Sequence, residues 1–164
     1  MILFSQLLFS VACIHTIKCN FSDAAREYNE IYKIPRQNKA KRLQKFSQYS
    51  IEKQIDVYLF ARSCADDPQI GPLLYENGEK RIPNIVERVE VTETIFDKAQ
   101  LVALLLGINK DCQCITKDLD VIKRLENVEK DFEVKKDALS DYHHKGMYST
   151  YFNALKEQID ERSK

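Results

Sequence analysis

Glycine and proline are scarce, with four of each in 164 residues. A turn-dense all-β fold draws on more of both, and a phosphate-cradling loop needs clustered glycines that this chain does not supply. The patterns G-x-x-x-x-G-K, G-x-G-x-x-G, H-E-x-x-H and G-x-S-x-G are all missing. Nucleotide binding, zinc proteolysis and nucleophile-elbow hydrolysis therefore lose their usual sequence support. Net charge is missing too. Twenty-five basic side chains balance twenty-five acidic ones, without the cationic excess by which nucleic-acid binders neutralise phosphates. C-x-x-C is also absent, which removes the common spacing of zinc ligands and of redox dithiols.

What is present points to helices. The 44% hydrophobic content suffices for a packed core. Beyond position 20 the chain is rich in Lys, Glu, Leu, Gln and Asp, most of them good helix formers. A mainly α class follows, with about one domain's worth of sequence.

Met1 to Ala12 carries no charge and holds seven large apolar side chains after the Met. That is too short for a permanent span, which takes about 20 apolar residues, and it fits the apolar core of a signal peptide. Ser10-Val11-Ala12 supplies the small residues a signal peptidase accepts, although a basic segment before the core is lacking. Ser10-Val11-Ala12-Cys13 resembles the lipobox of bacterial lipoproteins, with Ser10 standing where Leu is usual. The resemblance implies cleavage before Cys13 and a lipid on it. An apolar first helix with Cys13 buried is the other reading. The expected organisation is a signal peptide over 1–12, an N-terminal helix and basic tether over 13–49, and a helical domain over 50–164.

From Asn20 or Ser22 a short helix can run through Ala25, Tyr28 and Tyr32 and end before Ile34-Pro35. Lys33, Arg36, Lys39, Lys41, Arg42 and Lys45 follow as a basic run without an intervening acid. Beside a lipidated N-terminus such a run suits anionic headgroups, while a solvated helical face is the bland alternative. Ser50 is an expected N-cap for a helix carrying Ile51, Ile55, Tyr58 and Leu59, at helical spacing. Ile70, Leu73 and Leu74 mark a short helix closed at Asn77-Gly78, where glycine suits a left-handed cap. Ile82, Ile85, Val86 and Val89 mark another, with Pro83 in its first turn. Thr92 or Thr94 opens a fourth, whose Ala99 and Leu101–Leu106 are apolar nearly all round before Gly107. A helix without a polar face belongs in the middle of a core.

The layout from Ile51 to Phe60, then Asn77-Gly78-Glu79, then Ile82-Pro83-Asn84-Ile85-Val86-Glu87-Arg88 resembles small bacterial HEAT-like helical proteins. The resemblance implies irregular antiparallel helix pairs and a protein-binding face, and no catalytic residue. Past Gly107, a polar loop holds Cys112 and Cys114. Thr116 or Asp118 then starts a long helix with a stripe at Leu119, Ile122, Leu125, Phe132 and Leu139. A break at His143-His144-Lys145-Gly146 precedes a last amphipathic helix, antiparallel to the long one, with Tyr151, Phe152, Leu155 and Ile159.

In an oxidising compartment the cysteines are disulfide candidates. A bridge from Cys64 to Cys112 or Cys114 would staple two helices, leaving the other thiol for Cys19. No metal or cofactor is expected. Asp66-Asp67 fits capping of a helix from Pro68, His143 and His144 fit exposed residues near a turn, and Tyr148, Tyr151 and Phe152 fit core. The sum is an exported, lipid-anchored, non-enzymatic helical domain of the cell envelope that binds another protein and no nucleic acid. The rivals are a hydrolase-like enzyme with a site gathered from several helices, and an intracellular helical adaptor.

Overall fold

The computed structural model describes residues 22–136 and 142–161. Among them every regular element is helical: α1 (Ser22–Tyr32), α2 (Lys39–Phe46), α3 (Ile51–Ser63), α4 (Gly71–Tyr75), α5 (Ile82–Val91), α6 (Ile95–Cys112), α7 (Leu119–Lys135) and α8 (Tyr142–Asp160). Single 3-10 turns lie at Pro68–Ile70, Gly78–Arg81 and Ile115–Lys117. The all-α class expected from composition is the class observed. The chain forms two compact units, the first ending at Pro68 and the second beginning at Gln69.

In the first unit α1 turns Ala24, Tyr28 and Ile31 inward, at offsets of 4 and 3 that keep them on one helical face. That face packs on α3, whose Ile55, Val57, Tyr58 and Ala61 are buried. Ser50 caps α3 as expected, its Oγ accepting from Lys53 N at 3.3 Å. The expected tether of residues 13–49 is, from α1 onward, part of this packing. Asn38 caps α2 through Oδ1, which accepts from Lys41 N at 3.2 Å, and Phe46 is fully buried. The boundary near residue 50 thus lies inside a unit, because α1 needs α3 to cover its apolar face.

The second unit is built around α6. Its Leu101, Val102, Leu104, Leu105 and Ile108 are all 0% exposed. At about 2 kcal/mol each, their burial is worth on the order of 10 kcal/mol before conformational entropy is subtracted. Helices α4, α5 and α8 and the 3-10 turn at Gly78–Arg81 all pack against it. Thr94 caps it, accepting from Asp97 N at 3.3 Å and donating to Asp97 Oδ2 at 2.6 Å. Two contacts set the direction of α8. Gln100 Nε2 lies 3.9 Å from Met147 Sδ, and Asn109 Nδ2 donates to Gln158 Oε1 at 2.8 Å. Both advance the same way along the two helices, so α8 runs parallel to α6. Against α7 it runs antiparallel, as the Phe132–Tyr148 ring contact at 4.3 Å and the Glu129–Lys156 ion pair at 3.1 Å show.

Several local expectations change. Helix α6 does not stop at Gly107 but continues to Cys112. Glycine is required there for closeness, since a Cβ would sit 2.5 Å from the Tyr75 hydroxyl oxygen. At Asn77-Gly78 it is Asn77 that takes the left-handed conformation, at φ 56°. Gly78 is selected by contact, because a Cβ would lie 2.7 Å from Ile108 Cγ2. On α7 the buried residues are Val121, Leu125, Val128 and Phe132. Leu119 is 81% exposed and Ile122 is half-buried, so the face is set by spacing of 4, 3 and 4 and not by the stripe read from Leu119. Leu139 lies outside the described residues. Finally, His143 to Gly146 form part of α8 and are not a break.

Candidate functional site

Helix α6 ends on a left-handed residue, Gln113 at φ 55°, whose N–H donates to Asn109 O at 2.8 Å. This closes the helix by the usual left-handed device and throws the chain sideways at once. Asn109 then pins the returning strand of the turn. Its side chain is 2% exposed, Oδ1 accepts from Ile115 N at 3.1 Å, and Nδ2 is held by Gln158. Ile115 is buried, and Asp118 caps α7 by accepting from Asp120 N and Val121 N at 3.1 and 3.2 Å. The path between Asn109 and Asp118 is therefore fixed at both ends.

On this path Cys112 and Cys114 are joined to each other as a disulfide, with Cα atoms 5.2 Å apart. The N–H of Cys114 points at Cys112 Sγ, at 3.3 Å. The expected staple from Cys64 to this pair is thus not the one formed. The left-handed Gln113 folds the two cysteines back on one another, a pairing that no helix-to-helix argument from sequence would propose. Cys64 is itself disulfide-bonded. Cys13 and Cys19 lie outside the described residues. A bond closing so short a loop removes little chain entropy, roughly 1.5 kcal/mol, compared with about 3 for a loop of about 15 residues. Stability alone gives it a minor role.

Beside this loop runs an open groove of about 590 Å³, lined by Glu79, Ile82, Pro83, Cys114, Lys117, Asp118 and Leu119. The first turn of α5 supplies Ile82 and Pro83, and the first residue of α7 supplies Leu119. At 81% exposure, Leu119 leaves about 2 kcal/mol of burial unrealised. The lining mixes the apolar Ile82, Pro83 and Leu119 with a charged rim of two carboxylates against one ammonium, so the groove is part apolar with a slight acidic bias. Arg81 is 8% exposed and donates to Glu76 O at 2.6 Å, closing the end of α4. Burial lowers its affinity for the proton, opposed by the nearby Glu76.

The basic run is divided by the fold. Arg42 is 3% exposed, with Nη2 3.7 Å from the buried Asp67 Oδ2. It is therefore withdrawn from any membrane surface, because α2 turns it inward with Phe46 one helical turn along. Lys33 and Lys45 pair with Glu30 at 3.9 and 3.4 Å. Arg36, Lys39 and Lys41 stand exposed. Asp67, read from the sequence as a helix cap, accepts from Tyr28 OH at 3.2 Å. Burial, and then the Asp67 charge, push the Tyr28 hydroxyl up to about 12. This Tyr28–Arg42–Asp67 cluster was invisible in the sequence, where its members are scattered over three segments.

Asp66 and Asp67 belong to the first unit, and His143 and His144 to the second. His143 is exposed, and His144 packs edge-on against Phe96 with ring centroids 4.8 Å apart. Tyr148 and Phe152 are core residues, at 1% and 2% exposure, whereas Tyr151 is half-buried. Among the described residues no three His, Cys, Asp or Glu side chains stand close enough to hold a metal ion, and no helix is long and apolar enough to cross a membrane. Compared with known proteins, the chain matches no protein family, no curated protein and no solved structure.

Proposed function

We propose that this chain is an exported, non-enzymatic helical binding protein of the cell envelope, and that its groove takes an apolar segment of a partner protein. The observation that carries this is Leu119, a large apolar side chain 81% exposed at the edge of an open groove with Ile82 and Pro83. Docking there recovers burial that the chain alone forgoes. Export is supported by disulfide bonding at Cys64, Cys112 and Cys114, which persists in oxidising compartments and is rare in reducing ones.

The N-terminal anchor is the second part of the proposal. Six cations near an anionic surface would contribute about 6 kcal/mol, and the four that remain exposed, Lys33, Arg36, Lys39 and Lys41, about 4. One weak electrostatic contact does not hold a protein stably, so the basic run works only together with an acyl chain on Cys13.

A photo-crosslinking side chain at position 119, with one at the equally exposed Val134 as control, tests the groove in intact envelopes. One dominant adduct at 119 and not at 134 is expected; equal, diffuse labelling sinks the groove. Intact mass of the native protein tests export, by cleavage before Cys13, acyl mass and loss of two hydrogens per disulfide. A full-length chain whose thiols all react removes both export and anchor.

A further inference from the structure

We propose that the Cys112–Cys114 disulfide is a thiol–disulfide exchange centre whose substrate is a cysteine-bearing, apolar, uncharged or basic polypeptide segment lying in the adjacent groove. The inference rests on the groove-binding reading above and adds a reaction to it. The missing C-x-x-C pattern does not oppose it, because the left-handed Gln113 brings cysteines separated by a single residue into bonding range.

Four observations converge. The bond joins no two elements of the fold, so opening it leaves α6, α7 and their packing in place, and exchange can proceed in the folded protein. Cys112 is exposed, and Cys114 lines the groove with Leu119, so an incoming thiol held there meets Cys114 Sγ first. The Cys114 N–H, 3.3 Å from Cys112 Sγ, is placed to stabilise the thiolate that departs. It supplies a donor at a helix end whose carbonyls otherwise disfavour negative charge. Last, Asn109, Ile115 and Asp118 fix the loop from both sides, so the sulfurs stay within reach of each other when reduced. The acidic bias of Glu79 and Asp118 over Lys117 turns away small acidic thiols and suits a neutral or basic segment.

The step balances without a further reagent. A substrate thiolate attacks Cys114 Sγ, forming a mixed disulfide and releasing Cys112 as thiolate, which takes up the proton lost by the substrate. A second substrate thiol attacks the substrate sulfur of that mixed disulfide and frees Cys114. The substrate loses two electrons and two protons to become a disulfide, and Cys112 and Cys114 gain them as thiols. In reverse, the dithiol reduces or reshuffles a substrate disulfide.

The test uses the full oxidised chain and three short probes: an apolar peptide with one cysteine, the same peptide with serine in its place, and a glutamate-flanked version of the cysteine peptide. Binding of the serine peptide, followed by anisotropy, reports the groove alone. Acid quenching and mass mapping of the cysteine peptide report exchange. Expected is an adduct on Cys114 with Cys112 free, formed about tenfold or more faster with the apolar than with the acidic peptide. A C112S/C114S variant should form no adduct, and Leu119→Asp should slow adduct formation. An intact Cys112–Cys114 bond alongside normal serine-peptide binding overturns the exchange and leaves the groove. Loss of serine-peptide binding overturns the groove reading, and equal rates with both thiol peptides overturn the proposed substrate.

Discussion

Gly107 and Gly146 are both helical glycines, and the same substitution should move stability in opposite directions at the two. Around Gly146 nothing lies within 4 Å of a Cβ, so Gly146→Ala should stabilise by about 1 kcal/mol, the difference in helix propensity. At Gly107 a Cβ would sit 2.5 Å from the Tyr75 hydroxyl oxygen, and the ring would have to move out of a packed site. Gly107→Ala should therefore destabilise by roughly 1–3 kcal/mol despite the better propensity. Urea midpoints of the two variants decide the matter, and a gain at both would mean that Tyr75 yields easily. Sequence alone treats both glycines as punctuation, and a break was expected at each. The space around a Cβ is a property of the neighbouring helix, which no local pattern encodes.

Two coupled groups show what packing adds to single helices. Arg42 and Asp67 are buried together, but at 3.7 Å their contact is longer than a hydrogen bond, and Arg42 Nε finds no acceptor among the described residues. Removing the cation alone leaves a buried carboxylate, so Arg42→Met should cost about 3 kcal/mol. Adding Asp67→Asn, which keeps an acceptor for Tyr28, should recover at least about 1 kcal/mol of that; strictly additive costs in the double-mutant cycle would refute the coupling. In the second unit, Asn109→Ala removes the acceptor for Ile115 N and the donor to Gln158. A loss of about 2 kcal/mol is expected, with faster amide exchange at Ile115 and slower thiol exchange at Cys114. Unchanged exchange at both would separate the loop from its anchor. Ser50 serves as the cap expected, and Thr94 and Asp118 are each one of two caps the sequence offered, whereas Asn109 was read into a loop past Gly107 and Arg42 into a tether. Which face each helix buries was foreseen less well, since α7 uses Val121 and Val128 where Leu119 and Ile122 were read.

At the scale of the whole chain, stability should fall at alkaline pH. The fold raises the Tyr28 hydroxyl from 10.0 to about 12, through burial first and the Asp67 charge second. Burial, with Glu129, Asp131 and Glu133 nearby, raises that of Tyr148 in the same direction. In each case the folded chain favours the neutral hydroxyl. The corresponding stability is fully present below pH 10 and is lost as pH rises from 10 toward 12. Tyr28→Phe should flatten the fall in denaturation midpoint over that window, and an unaltered slope would show that Tyr28 ionises without regard to folding.

The amino-acid order by itself determined that the chain is helical, where most helices begin, and that the segment from Ala99 to Leu106 is core. These follow from capping chemistry, from propensity and from an apolar surface with no polar side, all of them local. The tertiary structure alone decided that Arg42 leaves the basic run for the interior, that Gly107 is needed for closeness and not for a turn, and that Cys112 bonds Cys114 rather than Cys64. Each of these turns on which distant groups arrive at a given point in space. Spacing along a chain fixes direction on one helix, while contact between helices depends on how several faces compete for the same partner.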